Sequence, residues 1–97
     1  MIEIKQSAID DLREISDYIA RDDPERAESY LAELLERIAW VGQNPHLYRV
    51  RYDWHPELRI ARHGRYQILF RVNDGMSVIL RVAHSSRDLT ALLDQLE

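Results

Sequence analysis

The sequence predicts an α+β fold in which a helical hairpin packs on one face of a mostly antiparallel sheet. The first observation is the stretch Leu58–Asp88. Here Tyr66, Ile68, Phe70 and Val72 alternate with Gln67, Leu69 and Arg71, and Val78, Leu80, Val82 and His84 alternate with Ser77, Ile79, Arg81 and Ala83. Alternation with period two marks strands with one face on the core. The second is turn chemistry: His63-Gly64 and Asn73-Asp74-Gly75 carry residues that tolerate positive φ, so the strands form hairpins. The third is a pair of amphipathic helical stripes upstream, separated only by a short break before Pro24.

Taken in order, Ile2-Glu3-Ile4 alternates and reads as a short first strand. Ser7, with Asp10 three positions on, predicts a helix N-cap, and Asp10 and Asp11 then sit in the first turn, where the helix dipole favours negative charge. Ala8, Leu12, Ile15 and Ile19 form the stripe of this helix, which ends near Arg21-Asp22. Asp23-Pro24 restarts it, because Asp caps well and Pro is tolerated at the first helical position. Ala27, Tyr30, Leu31, Leu34, Ile38 and Val41 form the second stripe, and Gly42 with Asn44-Pro45 ends it. The short connection makes the two helices an antiparallel hairpin whose stripes need the sheet's apolar face. Trp40 lies off the stripe, either packed under the following loop or exposed as an anchor for a partner.

Residues 44–57 are rich in Pro, His and aromatic side chains and read as a loop pinned by its aromatics, not a linker. After Asp88, the spacing of Leu89, Leu92, Leu93 and Leu96 predicts a short C-terminal helix, docked on the body or awaiting a partner. The expected core is Leu31, Leu34, Ile38, Ile68, Phe70, Leu80 and Val82.

The length of 97 residues suits one compact domain spanning residues 1–97. With 45% hydrophobic and 31% charged residues the chain is globular, not disordered. Lacking cysteine, it has no disulfide framework, thiolate metal site or cysteine nucleophile. The N-terminus shows no signal-peptide pattern and no apolar run approaches the ~18 residues of a membrane span, so a cytoplasmic location is expected.

The net charge of −4 is unevenly divided. Residues 1–47 hold five basic residues against eleven acidic ones, whereas residues 48–88 hold eight arginines against four carboxylates. Arg59, Arg62, Arg65, Arg71 and Arg81 fall on the strands' outward face or in their turns, with Arg87 just beyond. Such a basic sheet suits an anion or an acidic partner, or simply keeps an exposed face soluble.

Few reactive constellations are present. His46, His55, His63 and His84 lack metal-ligand spacing, so no metal is expected, and no other cofactor is implied. The glycines are isolated and form no phosphate loop, and Ser85-Ser86 lacks a nucleophile-elbow context. One cluster remains: His84, Arg81, Arg87 and Asp88 at the end of the last strand, with Arg59 and Arg62 across the sheet. Arginines that grip a phosphate beside a proton-moving His84 would suit a metal-free ribonuclease. Alternatively His84 is a structural residue, because its strand phase turns it inward.

Read together, Ala8-x-x-Asp11-Leu12-x-x-Ile15-x-x-Tyr18-Ile19, Asn44-Pro45, Leu58-Arg59, Arg65–Val72 and Val78–His84 with Arg87-Asp88 resemble the RelE/ParE superfamily of type II toxin–antitoxin toxins over nearly the whole chain. One departure is that Pro45 is followed by His46-Leu47-Tyr48-Arg49 where the family often has a Gly-Arg pair. The resemblance implies a βααβββ domain and a toxin of a plasmid-stabilisation type module, neutralised by a cognate antitoxin of ribbon-helix-helix or similar DNA-binding type. RelE-like members are ribosome-dependent messenger RNA endonucleases, whereas ParE-like members are associated with DNA gyrase. Lys5 is the chain's only lysine, Gln67 stands where RelE carries an arginine, and no tyrosine follows Tyr66, so the resemblance is closest to the ParE-like branch.

On that branch the implied activity is inhibition of DNA gyrase by binding, with no catalytic residue and no direct nucleic-acid binding outside the complex. The target-binding candidates are Arg59, Arg62, Arg65, Arg81 and Arg87. The antitoxin-binding candidates are Tyr18, Trp40, Arg71, Leu92 and Leu96. On the RelE-like alternative, His84, Arg81 and Arg87 would be catalytic.

Overall fold

The computed structural model describes residues 1–51 and 57–94. Strand β1 (Ile2–Ile4) leads into helices α1 (Gln6–Ala20) and α2 (Pro24–Gln43), and a single 3-10 turn (Pro45–Leu47) follows. Strands β2 (Arg59–His63), β3 (Tyr66–Asn73) and β4 (Met76–His84) and the short helix α3 (Leu89–Leu93) complete the order. The sheet order is β1-β4-β3-β2. β2, β3 and β4 form the antiparallel meander, and β1 runs parallel to β4. A parallel neighbour needs a long crossover, and the helical hairpin is part of it. This is the α+β architecture that the sequence predicts.

Local chemistry explains most boundaries. Asp23 caps α2 as expected: its Oδ1 accepts the Arg26 N–H at 3.0 Å, and Pro24 occupies the first turn. Ser7 is not the cap of α1. That helix begins at Gln6 after an extended Lys5 that makes no side-chain cap bond, and the Ser7 hydroxyl donates to the Leu80 carbonyl at 3.0 Å. Gly42 does not stop α2, which continues to Gln43. It lies close against β1: a Cβ there would lie 2.7 Å from Ile2 Cδ1, so a larger residue would require the Ile2 side chain to move.

The helix-facing core contains Leu12, Ile15, Leu34, Ile38, Val41, Ile68, Phe70, Ile79 and Val82. Leu31, expected in it, is only half-buried at its border. The strand phase of β4 departs from the prediction. Leu69 pairs with Arg81 but Phe70 pairs with Ile79, so Leu80 is an extra residue, a β-bulge. Past the bulge the alternation shifts by one. Ile79 and Val82 therefore share the helix side, while Leu80, expected beside Val82, is buried on the opposite face.

That opposite face is not a bare arginine surface. Leu58, Leu69, Val78, Leu80 and Ala83 form a second core there with Ile60, and Leu89 and Leu92 of α3 cover it. The terminal helix is thus docked on the body. The sheet is buried on both sides, so near-continuous apolar runs replace clean alternation in β3 and β4. In the loop before β2, Val50 bridges to Arg59, and Tyr48 meets Phe70 edge-on with ring centroids 5.7 Å apart. The pinning expected of Tyr52, Trp54 and His55 lies outside the described residues, as does Leu96.

Candidate functional site

The free end of the helical hairpin meets the β2–β3 turn and the end of β4. Tyr18 and Ile19 come from the end of α1, and Arg26 and Tyr30 from the start of α2. Gly64, Arg65 and Tyr66 come from the turn, and His84 and Ser86 from the end of β4. Together they line an open cleft of about 810 Å3. Register builds it: His63 pairs with Tyr66, and Tyr66 with His84, so three rings stand side by side on the helix side of the sheet. Tyr30 of α2 joins them, 5.5 Å from His63 and 5.9 Å from Tyr66 between centroids, and Tyr66 meets His84 edge-on at 5.3 Å.

The turn is locked to α2. The Tyr30 hydroxyl donates to the His63 carbonyl at 3.3 Å and covers Gly64, whose φ is +57° and whose Cβ, if present, would lie 2.8 Å from that oxygen. Arg26 stacks over Tyr30 at 4.9 Å and pairs with Glu33 at 2.7 Å. That hydrogen bond holds the Glu33 carboxyl below its ordinary value, and Glu33 also contacts His63 Nε2 at 3.3 Å. Burial keeps the Tyr30 and Tyr66 phenols protonated to above the ordinary tyrosine value, reinforced for Tyr30 by Tyr66 and for Tyr66 by Tyr18.

His84 lies at the rim and not in the core interior. Its Nδ1 accepts the Ser86 backbone N–H at 3.1 Å and lies 2.7 Å from the Ser86 hydroxyl. Accepting at Nδ1 places the proton of the neutral ring on Nε2. Arg81 is also committed. Its Nε and Nη2 donate to Asp11 Oδ2 and Oδ1 at 2.7 and 2.9 Å, and Asp11 Oδ2 accepts the Val82 N–H at 2.9 Å. These hydrogen bonds raise the Arg81 pKa further above its ordinary value. One buried carboxylate therefore holds α1 to β4 next to its bulge at Leu80.

The sequence candidates therefore scatter. Arg59 donates from Nη1 to the Pro45 and Tyr48 carbonyls at 3.1 and 2.8 Å, which ties the loop to the edge strand. Arg62, Arg65 and Arg87 are exposed, and Arg65 and Arg87 flank the Tyr66–His84 pair. Arg71 is half-buried opposite Val78 on the face covered by α3. Tyr18 is 66% and Trp40 48% exposed, whereas Leu92 is 2% exposed and serves the chain's own second core. Trp40 lines a separate groove on α2 with Glu33, Glu36, Arg37 and His63.

Sequence reasoning missed Asp11, Tyr30, Tyr66 and His63 as members of a site. Asp11 could have been found: it follows Ala8 by three positions and so sits on the buried stripe, where a carboxylate needs a partner. The aromatic cluster has no local signal, since its members come from four separate elements. Among the described residues no group of three or more His, Cys, Asp or Glu side chains converges, and no helix is long and apolar enough to cross a membrane.

A family model described as "ParE toxin of type II toxin-antitoxin system, parDE" matches residues 2–89. No curated protein matches the chain. Among solved structures, the chain is similar to one from the chromosomal ParDE TA system of P. aeruginosa, with a TM-score of 0.75 and 22% identity over 86% of this chain and 92% of that one. It is also similar to a chain of the toxin-antitoxin complex RelBE2 from Mycobacterium tuberculosis, with a TM-score of 0.65 and 25% identity over 87% and 95%.

Proposed function

This chain belongs to the ParE toxins of type II toxin–antitoxin systems, and from that premise we propose that it inhibits DNA gyrase by occupancy and not by catalysis. The observation that supports this reading is that the groups a nuclease would use as proton acceptor are occupied or protonated. A metal-free nuclease requires a proton donor and acceptor on either side of one phosphate. Here Arg81 is spent on Asp11, and neither His84, whose Nδ1 already accepts the Ser86 N–H, nor the protonated Tyr30 and Tyr66 phenols offers a free proton acceptor. What faces solvent is a set of arginines, Arg62, Arg65 and Arg87. Such side chains suit recognition, because the planar guanidinium makes bidentate contacts.

A cognate antitoxin neutralises the toxin in this reading. Tyr18, Leu35, Trp40 and Leu47, among the large apolar side chains left exposed, are the surface such a partner would cover, with Arg71 and Leu96 as further contacts. A ribbon-helix-helix or similar DNA-binding antitoxin encoded beside the toxin is expected to co-purify with it. A toxin that is stably monomeric and binds no product of its own operon would contradict this part.

The target is tested by adding purified toxin to gyrase supercoiling reactions and to translating ribosomes. Loss of supercoiling with messenger RNA intact is the expected result. Ribosome-dependent cleavage of messenger RNA with supercoiling unaffected would replace this reading by the RelE-like one, with His84, Arg81 and Arg87 as the residues to test.

A further inference from the structure

We propose that the aromatic cleft at the hairpin end binds a nucleoside phosphate, with the base against Tyr18 and Tyr66 and the phosphate on Arg65 beside His84. The polar lining is one-sided. Arg65, Tyr18, Tyr66, His84 and Ser86 present guanidinium, hydroxyl and ring N–H groups, and no carboxylate side chain lines this cleft, Asp11, Glu14 and Asp17 lying along the adjoining one that shares Tyr18, Tyr66 and His84. In a chain of net charge −4 this stretch suits an anionic, acceptor-rich ligand at Arg65.

Two of the donors are set for the task. The Tyr66 phenol lines the cleft and is a neutral donor at physiological pH, as burial also favours. The Ser86 N–H occupies His84 Nδ1, which leaves Nε2–H as the donor of the neutral ring. Arg26 is stacked on Tyr30 and neutralised by Glu33, so it shapes the wall. Arg65 is exposed at the turn and is the cation positioned to meet a phosphate.

The rings specify the rest of the ligand. Tyr30, Tyr66 and His84 form a contiguous aromatic wall, and exposed Tyr18 lines the same cleft. Aromatic faces beside an arginine are how proteins hold a base with its phosphate. A volume of about 810 Å3 falls within the range of small-molecule sites. An acidic peptide would use the cations but leave the ring wall without a planar partner, so the nucleotide is the better fit. The same chemistry could be offered by a free mononucleotide or by an unpaired nucleotide of a strand.

The test uses the purified full chain. Binding of AMP, UMP, adenosine, ribose 5-phosphate, a short oligothymidylate and an acidic phenylalanine-containing peptide is measured by calorimetry, with NMR shifts of the His84 and Tyr66 rings as the site report. AMP and UMP should bind saturably and shift both rings, while adenosine and ribose 5-phosphate should each bind at least tenfold more weakly. Arg65→Gln should weaken AMP by roughly tenfold or more, the usual loss of a charged hydrogen bond. Tyr18→Ala should weaken it by about fivefold or more, the lower end of one stacking contact. Both side chains are exposed, so neither variant threatens the fold, and Arg13→Gln on α1 is the control. Tighter binding of the oligonucleotide at the same rings would assign the strand as the source, and tighter mononucleotide binding the free ligand. No saturable nucleotide binding, peptide binding alone, or AMP affinity indifferent to both Arg65→Gln and Tyr18→Ala would overturn the proposal. None of these outcomes depends on whether gyrase is the target.

Discussion

Replacing Arg81 with alanine leaves Asp11 as a lone carboxylate between α1 and the sheet. The side chains of this pair are only 13% and 6% exposed, and the contact is bidentate. Removing one partner of a buried pair costs about 3–5 kcal/mol, because the other charge stays desolvated. A domain of this size is stable by only about 5–15 kcal/mol. At about 4–8 °C per kcal/mol for a chain of this length, the melting midpoint should fall by roughly 12 °C or more. Asp11→Leu should cost as much or more, since it removes the bidentate partner of the Arg81 guanidinium and also deprives the Val82 N–H of its acceptor. The double variant, Asp11→Leu with Arg81→Leu, removes both charges and leaves mainly that one N–H unsatisfied, at about 1–3 kcal/mol. It should therefore be more stable than either single variant. Urea unfolding of the wild type, the single variants and the double variant, followed by far-UV circular dichroism, closes the cycle. Single variants that lose less than about 1 kcal/mol, or effects additive to within about 0.5 kcal/mol, would refute the reasoning. The result also governs how toxicity data are read: a harmless Arg81→Ala protein is first a destabilised one.

Other outcomes follow from the same contacts. Phe70 is fully buried in the helix-facing core, so Phe70→Ala should cost about 3–5 kcal/mol in urea unfolding, and a loss below about 1 kcal/mol would contradict that placement. Gly64→Ala forces a side chain into a left-handed position under the Tyr30 hydroxyl, so calorimetry should show a loss of about 1–2 kcal/mol or more, whereas an unchanged midpoint would mean the turn is loose. Burial favours the neutral phenols of Tyr30 and Tyr66, so stability should fall as pH rises past the ordinary tyrosine value, and ultraviolet titration should show both ionising later than an exposed tyrosine. In cells, His84→Gln should stay toxic while Arg87→Ala, a folded surface variant, loses toxicity; a folded, harmless His84→Gln with Arg87→Ala still toxic would favour the nuclease.

The sequence by itself determined the elements. Asp23-Pro24 starts α2 by cap chemistry, the apolar stripes specify which helix faces are buried, and the glycines at positions 64 and 75 place the hairpin turns; all are local rules acting within a few residues. The tertiary structure alone decided how those elements face one another. A bulge at Leu80 moves Val78, Ile79 and Leu80 out of the expected phase, and period two does not reveal it in a strand whose two faces are both apolar. The leucines after Asp88 predict a helix, but only its docking shows that it closes the sheet's second face and leaves little of the supposed arginine surface. The cleft was the least legible feature. Tyr18, Tyr30, Tyr66 and His84 are distant in sequence and meet because strand register and the length of the helical hairpin bring their elements to one end of the sheet. Spacing along a chain encodes which face a residue occupies, whereas which faces meet is set by packing energy shared over the whole core.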